Sequence, residues 1–273
     1  MARPVLTPAD RARGALLGLA AAAGFGPRSL RGEVALAKLL GEELLEAEPD
    51  LHRLVGRWIG WWRQDGDGIT LATADALDHL ARYDAPAPAD GATAEGAPLM
   101  VTVPVALVNA GQPRNLVSGT YHIIMLTHPD PHVAWSAVAV NIAVSCFLQG
   151  RRDFIPDVIE ALAANDAPAE LLLVVRRIPL LARKELMPGR PAAGAAIATA
   201  EAALWMAYHE PLMERGVRWL AGAAGDASVN AAVAGALFGA RDGEQEIPLE
   251  WLAGVEEVAR LRDLAKRLVR VES

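Results

Sequence analysis

Apolar residues recur along this chain at three- and four-residue spacing, in stretches separated by short breaks rich in Pro and Gly. The first, ADRARGALLGLAAAAGF (residues 9–25), follows Thr7, which can cap a helix, and Pro8, which suits its first turn. GEVALAKLLGEELLEAE (32–48) then sets Val34, Leu36, Leu39, Leu40 and Leu44 on an apolar face. LHRLVGRWIGWWRQ (51–64) continues the pattern, with Trp58, Trp61 and Trp62 at i, i+3 and i+4; the triple reads as a core seam in preference to an aromatic ligand box. YDAPAPADGATAEGAP, residues 83–98, is predicted to be a flexible loop. Beyond it the spacing predicts helices near 99–111, 115–126, 131–148, 153–164 and 167–184. A Pro/Gly break follows at MPGRPAAG (187–194), and then helices near 194–209, 211–222, 228–240 and 248–270. Strand-like alternation is scarce: LMVTVPVALV (99–108) is the one good candidate, and Pro104 spoils it as a central strand. The pattern predicts an all-α fold, one multi-helix domain over 1–273, with no repeat of fixed period.

Composition narrows the class. The chain has 273 residues, 52% hydrophobic and 22% charged, which supplies ample material for a core. A net charge of −7 leaves no basic stripe to neutralise phosphates, so no nucleic-acid partner is expected. The single cysteine, Cys146 in AVSCFLQG, cannot close an intramolecular disulfide and reads as an inert packed thiol. MARPVLTPAD lacks the pattern of a signal peptide, and the apolar segments are broken short of the ~18–20 residues of a membrane span. A cytoplasmic protein with no membrane partner is expected.

Candidate chemistry is sparse. GDASVN (225–230) precedes the apolar run Ala231–Gly239, and an acid before a helix start can cap the helix or hold a cation there. His128 in THPDP is either an acid/base or a turn-stabilising hydrogen-bonding group. His122 and His132 flank it loosely, but Pro129 and Pro131 argue against a helical zinc pair. His52 and His79 lie in surface contexts, and His209 ends a helix, where a cation suits the dipole. QDGDGIT (64–70) offers Asp65 and Asp67 as carboxylates or as a solvated Asp-Gly turn. No phosphate-cradling loop with Lys, nucleophile elbow or dinucleotide fingerprint is present.

RARGALLGLA near the start, LTHPDPHVAWSAVAVNIA in the middle, and ATAEAALWMAYHE, GVRWLAGAAGDASVNAAVAGALFGA and IPLEWL near the end resemble, in order and spacing, the ADP-ribosylglycohydrolase family. The resemblance spans about Arg11 to Trp251. It implies an all-α domain whose active site holds two magnesium ions and hydrolyses the bond between ADP-ribose and an arginine, serine or related acceptor. The family carries Thr-Asp-Asp-Thr near its N-terminus where this chain has Arg31, Gly32, Glu33 and Val34. It carries Gly-Asp-Thr-Asp-Thr-Asn near its C-terminus where this chain has Gly225, Asp226, Ala227, Ser228, Val229 and Asn230. Val101 falls about where the family often has arginine and Gly96 where it often has Asn, while the loop ending in Thr70 matches one that lines the family's pocket.

Magnesium is held by carboxylates in near-octahedral oxygen geometry. Two carboxylates beside an arginine do not balance two such ions, so no metal cofactor is expected, with one weakly held magnesium between Glu33 and Asp226 as the alternative. Arg31 is expected to replace the metal by pairing with Asp226 or Glu33. The expected site comprises Asp226, Glu33, Arg31 and His128 for chemistry, with Ser228, Val229, Asn230, Val34, Val101, Gly96, Asp67 and Thr70 lining it for a small-molecule partner. Three functions compete: a repurposed, metal-independent enzyme acting on a small, less polar molecule by cyclisation, isomerisation, elimination or dehydration; a non-catalytic binding protein; and an atypical metal-dependent ADP-ribosyl hydrolase.

Overall fold

The computed structural model describes residues 5–25, 30–88, 95–186 and 194–269. Thr7 opens the first helix with a reciprocal cap: its side chain accepts from Asp10 N, and the Asp10 carboxylate accepts from Thr7 N at 2.8 Å. The chain then runs through α1 (Pro8–Ala22), α2 (Arg31–Leu44), α3 (Leu51–Gln64), α4 (Leu71–Tyr83), α5 (Pro98–Val101), α6 (Val103–Val108), α7 (Pro113–Thr127) and α8 (Pro131–Leu148). It continues through α9 (Ile155–Ala164), α10 (Ala169–Arg177), α11 (Ala195–His209), α12 (Met213–Ala221), α13 (Ala227–Asp242), α14 (Leu249–Leu252) and α15 (Val258–Leu268). The fold is all-α, with no strand among the described residues.

The helices end where local chemistry interrupts them. The stretch expected as one helix over 99–111 is two short ones meeting at Thr102, because Pro104 has no N–H and its ring crowds the carbonyl four residues back. Pro179 likewise ends α10 early, and 3-10 turns at Ile178–Leu180 and Arg183–Glu185 follow. The helix expected over 248–270 divides into α14 and α15, with Glu257 at φ 55° before the second. The loop expected over 83–98 begins after α4 with Asp84 at φ 52°, and its residues 89–94 lie outside the described residues, as do 187–193 of the Pro/Gly break.

Close approach of two glycine-bearing helices organises the core. A Cβ on Gly14 would sit 2.1 Å from Gly239 O, and one on Gly18 would sit 2.3 Å from Gly235 O. From the other side, Cβ atoms on Gly235 and Gly239 would sit 2.3 and 1.9 Å from the carbonyl oxygens of Gly18 and Gly14. The pairing runs in opposite directions, so α1 and α13 are antiparallel with their backbones in contact. Arg11 reaches over the far end and donates to Ala240 O at 3.1 Å and to Arg241 O, satisfying carbonyls that end α13. The start of α13 is thereby carried to the end of α1.

α8 fills the centre, packed by α6, α7, α11 and α13. Its 18 residues and mean hydropathy of 1.5 suffice to cross a membrane, but 89% of that window is buried within the fold. The Asn141 side chain at its middle donates to Thr102 O and Thr120 Oγ1, both at 3.0 Å. A second cluster holds Leu36, Leu40, Leu54, Trp58, Leu77 and Val101. Of the tryptophan triple only Trp58 is fully buried, donating from its indole to Leu36 O at 3.1 Å, while Trp61 and Trp62 are half-buried on the same cluster.

The crossing gives a paired expectation. Gly239→Ala forces a methyl into the Gly14 carbonyl and should cost more than about 3 kcal/mol or prevent folding, as overpacking with backbone strain does. Gly56→Ala on exposed α3, where a Cβ meets nothing within 4 Å, should instead raise stability by about 0.5–1 kcal/mol. Thermal melts of the two variants check both signs.

Candidate functional site

Glu33 lies in the first turn of α2 and is 0% exposed. Its neighbour Gly32 brings the following loop against it: Gly32 N donates to Gly68 O at 3.0 Å. A Cβ at position 32 would lie 2.3 Å from Ile69 Cγ2 and 2.8 Å from Asp67 O, so no side chain fits there. The loop delivers the start of α4 to Glu33. Thr70 caps that helix, and Glu33 Oε1 accepts from Thr70 N at 3.1 Å and from Thr73 Oγ1 at 3.0 Å. Thr70 Oγ1 in turn donates to Glu95 Oε1. On the far side of Glu95 stands His128, at the end of α7, with Nε2 3.4 Å from Glu95 Oε1 and Nδ1 3.0 Å from Thr127 Oγ1.

The electrostatics set Glu33 apart. The other buried glutamates and Asp242 carry an arginine: Glu43 has Arg53 and Arg57, Glu201 has Arg177, Glu210 has Arg183 and Arg215, and Asp242 has Arg241 and Arg152. At Glu43 and Glu210 burial pushes the carboxyl up, but the arginine hydrogen bonds outweigh it and both sit below the ordinary value. Glu33 has no arginine or lysine partner among the described residues. Burial pushes its carboxyl from 4.5 up to about 7, opposed by the Thr70 N–H and assisted by the charge of Glu95. Glu33 Oε2 and His128 Nε2 are both buried without a hydrogen bond. Thr70, Thr73 and His128 are buried too, so Glu95, whose side chain is 23% exposed, is the member that reaches solvent.

The structure separates the remaining expected site residues into other places. Arg31 does not pair with Glu33 or Asp226 as expected. It points outward on the opposite face of α2, where its guanidinium meets Glu256 Oε1 at 2.8 Å and Asp67 Oδ2 at 3.4 Å. The cause is helical: residues 31 and 33 lie about 200° apart around the axis. Arg31 and Val34 line a cavity of about 280 Å3 with Phe25, Lys38 and Trp251. Val101 is packed in the second core cluster.

The start of α13 forms a third group. Asp226 precedes the helix without capping it by its side chain, and Ser228, Val229 and Asn230 are buried in the first turn. Thr199 Oγ1 donates to Asn230 Oδ1 at 2.7 Å, and a Cβ on Gly96 would lie 2.3 Å from that same Thr199 oxygen. Glu95 and Gly96 are consecutive, so one loop touches both the Glu33 cluster and the α13 start. Sequence reasoning missed Glu95 and Thr73. The signals were Thr73 three residues after the cap Thr70, and the one acid beside Gly96 in an alanine-rich loop. Among the described residues no group of three or more His, Cys, Asp or Glu is arranged to hold a metal ion.

A family model described as ADP-ribosylglycohydrolase matches residues 4–273. A solved structure described as an ADP-ribosylglycohydrolase-related protein complex superposes with a TM-score of 0.76 at 25% identity, covering 96% of this chain and 98% of that one. Comparison with curated proteins gives no match.

The raised carboxyl carries a pH signature. Glu33 holds its proton more tightly in the folded chain, so its contribution is fully present below about 4.5 and is lost as pH rises to about 7. Glu33→Gln should therefore gain on the wild type across that window, by up to about 3 kcal/mol at pH 8. Melts of both proteins at pH 4.5, 6 and 8 measure the gap; a gap independent of pH contradicts the assignment.

Proposed function

This chain belongs to the ADP-ribosylglycohydrolase family, and we propose that it has lost the family's pair of magnesium ions and uses Glu33 as a metal-independent acid–base group on a small, weakly polar molecule. The observation that carries this reading is a fully buried carboxyl brought near neutrality by its surroundings, with Glu95 and His128 beside it.

The donor set does not fit two magnesium ions. In the resembled motifs Gly32 replaces an acid and has room for no side chain, Ser228 replaces another acid, and Val34 and Val229 replace hydroxyls. Glu33 and Asp226 are the carboxylates left, against four positive charges. Ligand loss at Gly32 is built into the packing, because the 67–69 backbone occupies the space. The same changes remove hydrogen-bonding groups that a charged dinucleotide would need, which favours a less polar ligand.

Thr70 N–H and Thr73 Oγ1–H fix one oxygen of Glu33, leaving Oε2 to take or give a proton. At a pKa near 7 both forms are populated, which is what a general acid–base group requires. Glu95 relays protons between this interior and solvent through the hydroxyls of Thr70 and Thr73, whose Oγ1 atoms lie 2.9 Å apart. Isomerisation, cyclisation, elimination and dehydration are the reaction types that need only such a transfer. Arg31, held outward by Glu256 and Asp67, takes no part. A second reading, binding without catalysis, rests on the full burial of Glu33 and His128, which a purely structural cluster would share.

Three measurements separate these. Metal analysis should find no stoichiometric magnesium or manganese, and peptides bearing ADP-ribosylated arginine or serine should release no ADP-ribose; two ions per chain, or turnover abolished by a chelator, would restore the ancestral hydrolase. In deuterated water, a panel of small carbonyl compounds should show catalysed exchange of carbon-bound protons that falls at least about 100-fold in Glu33→Gln, with an inflection near pH 7. Exchange undiminished in that variant, or no exchange across the panel, would favour the binding reading.

A further inference from the structure

A larger cavity, of about 920 Å3, lies between α7, α8 and α9 and shares no lining residue with the Glu33 cluster. Its volume is within the roughly 300–1,000 Å3 of small-molecule sites. Leu116, Ile142 and Cys146 form its apolar floor, and burial pushes the Cys146 thiol up to about 11, which removes it as a nucleophile. At one end the rings of Tyr121 and Trp135 meet at a centroid separation of 5.4 Å and 54°, offering a tilted aromatic wall.

Four polar side chains on this lining, Arg114, Tyr121, Trp135 and the acid Glu160, have no hydrogen-bond or ion-pair partner among the described residues. Trp135 is 8% exposed and Tyr121 is half-buried; neither the indole N–H nor the hydroxyl bonds to a described residue, and neither atom is fully buried, so both open onto the cavity. Arg114, at the opposite end of the cavity, pairs with no acid among the described residues, whereas Arg151 on the rim is held by Asp157. Arg114 and Tyr121 are seven residues apart on α7, about 10 Å at the helical rise of ~1.5 Å per residue. The donors thus bracket an apolar floor roughly two fused rings long.

We propose that the α7–α8–α9 cavity is a second binding site for a flat, apolar organic anion, its rings against Tyr121 and Trp135 and its carboxylate or sulfonate on Arg114. Burial of the rings supplies the affinity, and the guanidinium selects the anion. The site is separate from the chemistry at Glu33, since none of its lining residues belongs to that cluster.

The probe is 8-anilinonaphthalene-1-sulfonate, an aromatic sulfonate of this size, followed by fluorescence titration at neutral pH. One saturable site per chain is expected. Arg114→Glu, at an exposed position, should weaken it at least tenfold, and Ser118→Trp, which places a ring in the cavity mouth, should abolish it. Lys38→Glu, in the smaller cavity beside α2, should leave it unchanged. The uncharged N-phenyl-1-naphthylamine should bind the wild type about tenfold more weakly than the sulfonate and be insensitive to Arg114→Glu. Melting temperatures confirm that each variant is folded, and Arg114→Gln replaces Arg114→Glu if it is not. Absence of saturable binding, or binding that survives both cavity variants, overturns the proposal.

Discussion

Contact between the backbones of α1 and α13 is the constraint on which the other placements rest. Four glycines, Gly14, Gly18, Gly235 and Gly239, let the two helices touch carbonyl to Cα, and the antiparallel sense fixes which ends meet. The end of α1 leads toward α2, and the start of α13 carries Asp226 to Asn230. The start of α13, which carries one of the two stretches resembling the family's motifs, is therefore anchored at the end of α1. A helix pair separated by even one methyl would shift that stretch. The polar groups at the start of α13 are correspondingly buried and held, with Asn230 accepting from Thr199.

Burial then divides the ionisable groups into two kinds. Away from Glu33, each buried glutamate is matched by an arginine, as with Glu210 between Arg183 and Arg215, and such pairs hold the interior together. Glu33 is matched by an N–H, a hydroxyl and a neighbouring histidine instead. A carboxyl in that setting ionises reluctantly, which is costly for stability and useful for proton transfer. Gly32 and Gly96 belong to the same account. Each is glycine because a neighbour, the 67–69 backbone or Thr199, fills the space its side chain would need. Absence of a side chain at position 32 is thus a packing fact as well as a sequence one.

Much of this was legible in the chain, and the failures have physical causes. Apolar spacing gave the all-α class, and Thr7 and Pro8 marked a real helix start. Pro104 and Pro179 were visible, but periodicity alone did not convert them into the breaks they make. Glu33, Thr70 and His128 were legible as site candidates and do come together. The Arg31 pairing failed because charge complementarity was weighed without helical phase, which turns residues 31 and 33 to opposite faces. Glu95 and Thr73 went unseen because their roles come from a loop meeting a helix start, a contact between residues 25 or more apart with no local pattern.

The central claim is that Glu33 ionises near neutrality in a site that works without metal. Carbon-13 NMR of side-chain carboxyls tests it most directly, with the protein labelled at glutamate and the signal assigned by its loss in Glu33→Gln. The account predicts one carboxyl titrating near pH 7, unmoved by millimolar magnesium. A Glu33 that titrates in the ordinary range near 4.5, or one whose midpoint falls sharply when magnesium is added, would contradict it.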